Sequence, residues 1–163
     1  MRLAHSLAMS TPEPGKAAPS ITLLDQHGEK VKLSDLKGRP VLVYFYPKAD
    51  TPGCTTQACG LRDAAADIGD TVILGISPDQ PEKLARFDEK HGLGFTLLSD
   101  PDHKVAERYG VWAEKSMYGR KFMGIVRSAF LVGPDGKVAE AWPKISPKDT
   151  PTKLVKALGA LDA

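Results

Sequence analysis

Six consecutive apolar residues, Val41 to Tyr46 (VLVYFY), constrain this chain more than any other stretch. The run is rich in β-branched and aromatic side chains. It lacks the alternation of a strand with one wet face, so both of its faces must be covered. Such a strand belongs inside a parallel sheet with helices above and below. Val72 to Ile76 repeats the signature, and Phe95 to Leu98 is a shorter third candidate. No apolar run is longer, and a bilayer span needs about 18 residues, so no membrane partner is expected.

Helical patterns fall between these strands. Cys54, Ala58, Leu61, Ala65 and Ile68 share one helical face that Gly69 closes. Pro81 opens a second helix with Leu84 and Phe87 inward and Gly92 as its stop. Asp100 and Pro101 open a third, with Val105 and Tyr109 inward and Gly110 as its stop. Thr150 and Pro151 open the last, with Leu154, Val155, Leu158 and Leu161 inward. Two hairpins frame the set. Ile21 to Leu24 and Lys30 to Leu33 flank one turn, and Ala129 to Val132 and Lys137 to Trp142 flank the other, Gly-Pro-Asp-Gly. The expected fold is α/β: a mixed central sheet with helices on both faces and an N-terminal β-hairpin.

A chain of 163 residues fits one domain. Residues 1–14 contain Ser-Thr-Pro-Glu-Pro and are expected to be a flexible N-terminal extension. No export signal is evident there, so a cytoplasmic location is expected. The net charge is +2, from 22 basic and 20 acidic residues, too small a bias to favour nucleic acid. His5, His27, His91 and His103 are scattered, and no metal site is expected from them. Trp112 and Tyr118 either pack near a site or merely close the core, and their stretch is expected to be a loop.

The two cysteines, Cys54 and Cys59, are too few for a stapled scaffold. They stand where a buried strand ends and a helix begins, the edge at which sites form in open α/β sheets. Thr51 followed by Pro52 matches an N-cap with proline at the first helical position. Cys54 then lies in the first turn. Unpaired N–H groups and the helix dipole favour its thiolate there, making it a better nucleophile. Alone, a cysteine on an inner face is more often a small core hydrophobe. Helix start, strand end and a second cysteine together favour the nucleophile. Gln57, three residues on, either orients the first turn or faces solvent.

Five helical residues rotate by about 500° and rise about 7.5 Å, leaving the Cα atoms of the two cysteines roughly 8 to 9 Å apart. A disulfide needs about 7 Å or less. The pair cannot bond while the helix is intact, and bonding requires its first turns to unwind. Otherwise Cys59 is an idle, half-buried thiol.

The segment Pro47-xxx-Thr51-xx-Cys54 resembles the active-site signature of peroxiredoxins. The longer string TPGCTTQACGLRD, Thr51 to Asp63, resembles the peroxiredoxin Q subfamily, also called bacterioferritin comigratory protein. The likeness extends from about Gly15 to the closing helix. It implies a single thioredoxin-like peroxiredoxin domain over residues 15–163 and a thiol peroxidase acting on hydrogen peroxide and organic hydroperoxides. Cys54 would be the peroxidatic cysteine, oxidised to a sulfenic acid. Cys59 would resolve it as an intramolecular disulfide, and thioredoxin or a similar dithiol reductant would reduce that bond. Thr51 would hydrogen-bond the thiolate or the peroxide, and Pro47 would exclude water. Arg127 matches the family's active-site arginine, and the N–H groups of Gly53 and Cys54 would complete the pocket. The resemblance implies a monomer and no metal, haem or flavin cofactor. A peroxide sensor sharing the first step remains open. So does a thioredoxin-like dithiol exchange protein, although the spacing departs from Cys-x-x-Cys.

Overall fold

The computed structural model describes residues 10–162. A seven-stranded sheet forms its centre, in the order β2-β1-β5-β4-β3-β8-β9. The strands are β1 (Thr22–Asp25), β2 (Lys30–Lys32), β3 (Val41–Phe45), β4 (Val72–Ser77), β5 (Thr96–Ser99), β8 (Ser128–Val132) and β9 (Val138–Trp142). β3, β4 and β5 run parallel, with Val41 opposite Val72 and Phe45 opposite Ile76. β1 pairs antiparallel with β5, and β8 with both β3 and β9. The expected α/β fold with a mixed sheet and an N-terminal hairpin is therefore present.

The opening run behaves as its composition demands. Every residue of β3 is buried. Leu42, Tyr44 and Tyr46 enter the core on one face, while Val41, Val43 and Phe45 enter the core on the other. The first face is covered by α1 (Pro52–Asp63), α2 (Pro81–His91) and α4 (Thr150–Asp162). The second is covered by α3 (Lys104–Arg108), which buries Val105 and Ala106, and by Tyr109 just beyond it. The described part of the N-terminal segment, from Ser10, reaches the sheet at Gly15, whose N–H donates to the Val138 carbonyl at 2.8 Å. Ala17 forms a bridge with Lys137. Residues 1–9 of the expected extension lie outside the described residues.

Four expectations need correction. The first helix stops at Asp63, not at Gly69, and Ala65–Asp67 form a tighter 3-10 turn. Ile68 is still buried, so apolar spacing alone did not reveal the change of pitch. The third helix begins at Lys104, because the Asp100 carboxylate caps it by accepting from the N–H groups of Val105 and Ala106. Val155 lies at the rim of the α4 stripe and is exposed. The stretch read as a loop around Trp112 and Tyr118 is a second, two-stranded sheet of β6 (Trp112–Met117) and β7 (Arg120–Ile125). Most of its residues are half-buried or exposed, so it carries no apolar alternation. Its turn, Tyr118-Gly119, has positive φ at both positions (54° and 78°), a type I′ geometry that tyrosine rarely signals.

Candidate active site

The carboxyl end of β3, the first turn of α1 and the link between β7 and β8 meet at one point. Thr51 holds the extended backbone of an N-cap (φ −90°, ψ 159°), and Pro52 fixes the first helical position. The Thr51 side chain does not cap the helix. Its hydroxyl instead donates to the Lys48 carbonyl at 2.8 Å. Among the described residues no side chain caps α1, which leaves the first-turn N–H groups of Gly53 and Cys54 and the positive helix end beside the thiol. Cys54 is 2% exposed.

Arg127 stands in the two-residue link after β7, not within a strand. It brings its charge to Cys54 across 73 positions of sequence: its Nη2 lies 3.5 Å from the Cys54 Sγ. Its Nη1 donates to the Gln57 Oε1 at 2.7 Å. Gln57 and Thr150 are fully buried. Gln57 Nε2 donates to Thr150 Oγ1 at 2.9 Å, and Thr150 Oγ1 donates to the Ser146 carbonyl at 2.8 Å. The Arg127 carbonyl accepts from the N–H of Ile145 at 3.0 Å. One chain of bonds thus fixes the guanidinium against α1 and the segment leading to α4. Gly53 leaves room for it: a Cβ at that position would stand 3.2 Å from Arg127 Nη2 and 3.5 Å from Pro147 Cγ. Of Gln57's two open roles, orienting the site is the one its contacts fit. Its position on the thiol's own helical face was the available signal.

Three more side chains shape the electrostatics. Tyr44 and Tyr46 stack with ring centroids 5.4 Å apart, and both hydroxyls are buried, that of Tyr44 without a hydrogen-bond partner among the described residues. Burial pushes both phenols well above their usual range, so they remain neutral aromatic walls. Lys115 on β6 donates to the Ile125 carbonyl at 2.5 Å. Burial and then the Arg127 charge hold its ammonium below the usual lysine range, and Cys54 opposes them. Such apolar surroundings strengthen the pull of a cation on a thiolate relative to water. The sequence offered no sign of these three.

Two expected site residues remain, Pro47 and Cys59. Pro47 is half-buried, two residues beyond β3. Cys59 is half-buried on the same continuous helix as Cys54, and both thiols are free.

Comparison with known proteins identifies the family. Residues 14–141 match the AhpC/TSA family. The chain is 55% identical over 132 residues to "Peroxiredoxin Bcp" of Escherichia coli strain K12, covering 80% of this chain and 85% of that one. It is 47% identical over 150 residues to "Peroxiredoxin Bcp" of Bacillus subtilis strain 168, covering 91% and 96%. Its fold matches Xanthomonas campestris bacterioferritin comigratory protein with a TM-score of 0.85 at 32% identity, covering 93% and 100%. That protein's structures were described for alkyl peroxide reduction and included a trapped intermediate. A buried cysteine at a helix start with an arginine on its sulfur, in a thioredoxin-like sheet, and kinship of this extent place the chain in the AhpC/TSA family, among the peroxiredoxins of the Q, or bacterioferritin comigratory protein, group.

Proposed function

We propose that the chain reduces hydrogen peroxide and organic hydroperoxides at Cys54, resolves the product with Cys59, and is recycled by thioredoxin or a similar dithiol. The contact between Arg127 Nη2 and Cys54 Sγ, at the N-terminus of α1, carries this reading. The guanidinium lies against the sulfur that acts as the nucleophile. The thiolate attacks the oxygen of the peroxide that bears the proton. The O–O bond breaks, Cys54 becomes a sulfenic acid, and the departing alkoxide or hydroxide takes a proton to leave as alcohol or water. Arg127 stabilises the negative charge as it moves from sulfur to the departing oxygen. Pro47, half-buried two residues beyond β3, would limit water.

Cys59 completes the cycle only if α1 opens. Its thiolate attacks the Cys54 sulfur, an S–S bond forms, and hydroxide leaves to become water. The continuous helix over Pro52–Asp63 is the reduced arrangement, and it holds the two sulfurs on different faces. A dithiol partner then exchanges into the disulfide, leaving both cysteines reduced. Such a cycle suits a reducing cytoplasm, and nothing in it requires a second subunit.

Peroxide consumption with thioredoxin and its reductase tests the reading. Wild type is expected to turn over, Cys54→Ser to be inert, and Cys59→Ser to be oxidised once without thioredoxin-driven turnover. Turnover by Cys54→Ser would refute the assignment. Full turnover by Cys59→Ser would replace internal resolution by an external thiol.

A further inference from the structure

We propose that Asp79 is a positioning residue for peroxide reduction, acting through the Lys48–Ala49 peptide to fix the Thr51 hydroxyl as a hydrogen-bond acceptor. The inference rests on the peroxidase reading above.

Asp79 lies two residues beyond β4, at the same sheet edge as Cys54. Its Oδ2 accepts from the N–H of Ala49 at 2.7 Å and from the Ser77 hydroxyl at 2.8 Å. Its Oδ1 lies 3.4 Å from Lys83 Nζ, and its side chain is 11% exposed. Its backbone carbonyl accepts from the Ser99 hydroxyl at 2.6 Å. The carboxylate is therefore held from several directions.

The N–H of Ala49 and the carbonyl of Lys48 belong to one amide. That carbonyl is the acceptor for the Thr51 hydroxyl, at 2.8 Å. Three groups stand in series: carboxylate, peptide, hydroxyl. A planar amide fixes the direction of its carbonyl once its N–H is fixed. A charged acceptor on the N–H also polarises the carbonyl and strengthens the bond it accepts. Ala49 is 2% exposed, so its N–H has no solvent alternative to Asp79.

A threonine hydroxyl has one proton. With that proton on the Lys48 carbonyl, Thr51 can offer an incoming ligand only its lone pairs. It therefore accepts from the O–H of a neutral hydroperoxide. The oxygen bearing that proton is the one the Cys54 thiolate must attack. Without Asp79 the peptide can rotate, and the hydroxyl proton can turn towards the substrate oxygen. Peroxide would then be aligned less often, while attack on electrophiles that need no such alignment continues.

The test is a double-mutant cycle on the rate of Cys54 oxidation by hydrogen peroxide, measured by stopped flow on reduced protein. Asp79→Ala and Thr51→Val are each expected to slow the reaction roughly ten- to fifty-fold, and the double variant no further than Thr51→Val alone. Asp79→Asn keeps the acceptor without the charge and should recover to within about five-fold of wild type. Alkylation of Cys54 by iodoacetamide, followed by mass spectrometry, should stay within about two-fold, since it needs the thiolate but not peroxide alignment. An unchanged peroxide rate in Asp79→Ala, losses that multiply in the double variant, or a parallel fall in alkylation would each overturn the relay. If Asp79→Ala does not fold, Asp79→Asn decides. A two- to five-fold loss that vanishes in the Thr51→Val background supports the relay, and no loss refutes it. A wild-type protein that does not consume peroxide removes both the peroxidase reading and this one. An active wild type beside an unaffected Asp79→Ala removes only this one.

Discussion

Arg127 divides its fork between Cys54 Sγ and Gln57 Oε1, and Gln57 suits the second branch because its amide is neutral and two-sided. It accepts from Arg127 and donates to Thr150. Gln57→Glu keeps the acceptor but removes the donor and adds a negative charge one turn from the sulfur. An anion there draws the guanidinium away from the sulfur. Peroxide reduction at neutral pH should fall about tenfold. Unchanged peroxide reduction would show that Gln57 merely fills space. Legibility at this scale followed distance along the chain. Thr51, Pro52 and Cys54 declare themselves through local helix chemistry. Arg127 was found through family resemblance, because nothing in Val126-Arg127-Ser128 marks it as more than a surface charge. Tyr44 and Tyr46 read as ordinary strand residues. Their place under the thiol depends on which face of β3 receives α1.

The helix α1 is held at both ends by contacts that local pattern does not show. Gly60 meets α4 so closely that a Cβ would stand 2.9 Å from Pro151 Cγ. Gly60→Ala gains about 1 kcal/mol of helix propensity yet pushes a rigid ring. The clash should prevail and lower stability by about 1–2 kcal/mol in chemical denaturation. A more stable variant would show that the two helices can part at little cost. Before α1, Asp50 adopts positive φ (64°) and accepts from Lys90 Nζ at 2.9 Å while pairing with His91 Nε2 at 3.0 Å. Hydrogen bonds from His91 and Lys90 hold its carboxyl below the usual range. The folded value is thus below the unfolded value of about 3.9, so the latch contributes above that pH and is lost as pH falls through the folded value. Asp50→Asn should be less stable than wild type at pH 5–7, and the two curves should converge as pH falls below the folded value of Asp50. A gap that persists in acid would assign the loss to hydrogen-bond geometry that the amide cannot reproduce rather than to the charge. Buried elements were legible: β3 and β4 stand out as continuous apolar runs, and α2 and α4 by their helical spacing. The β6–β7 pair was not, because its cross-strand partners, such as Glu114 with Met123, fit no single wet or dry face.

Across the whole molecule, one sheet edge serves two incompatible states. The parallel strands deliver α1 with its N-terminus at Cys54, and α4 and the Arg127 link clamp it there. The proposed disulfide requires the same turns to unwind. Folding energy of α1 therefore counts for the reduced state only, and it must appear in the reduction potential of the 54–59 bond. Thr56 isolates this coupling, since it lies inside α1, is exposed, and is neither of the reacting residues. Helix propensity ranks alanine above threonine above glycine, with a spread of about 1 kcal/mol between the extremes. For a two-electron couple, 1.4 kcal/mol is about 30 mV, so the spread converts to about 20 mV. Stabilising the helix favours the dithiol and makes the disulfide easier to reduce. Thr56→Ala should therefore have the least negative potential, wild type an intermediate one, and Thr56→Gly the most negative, in equilibrium titration against a thiol buffer. Equal potentials, or the reverse order, would mean that the bond forms with the helix at residue 56 still wound, against the distance that an intact helix imposes on Cys54 and Cys59.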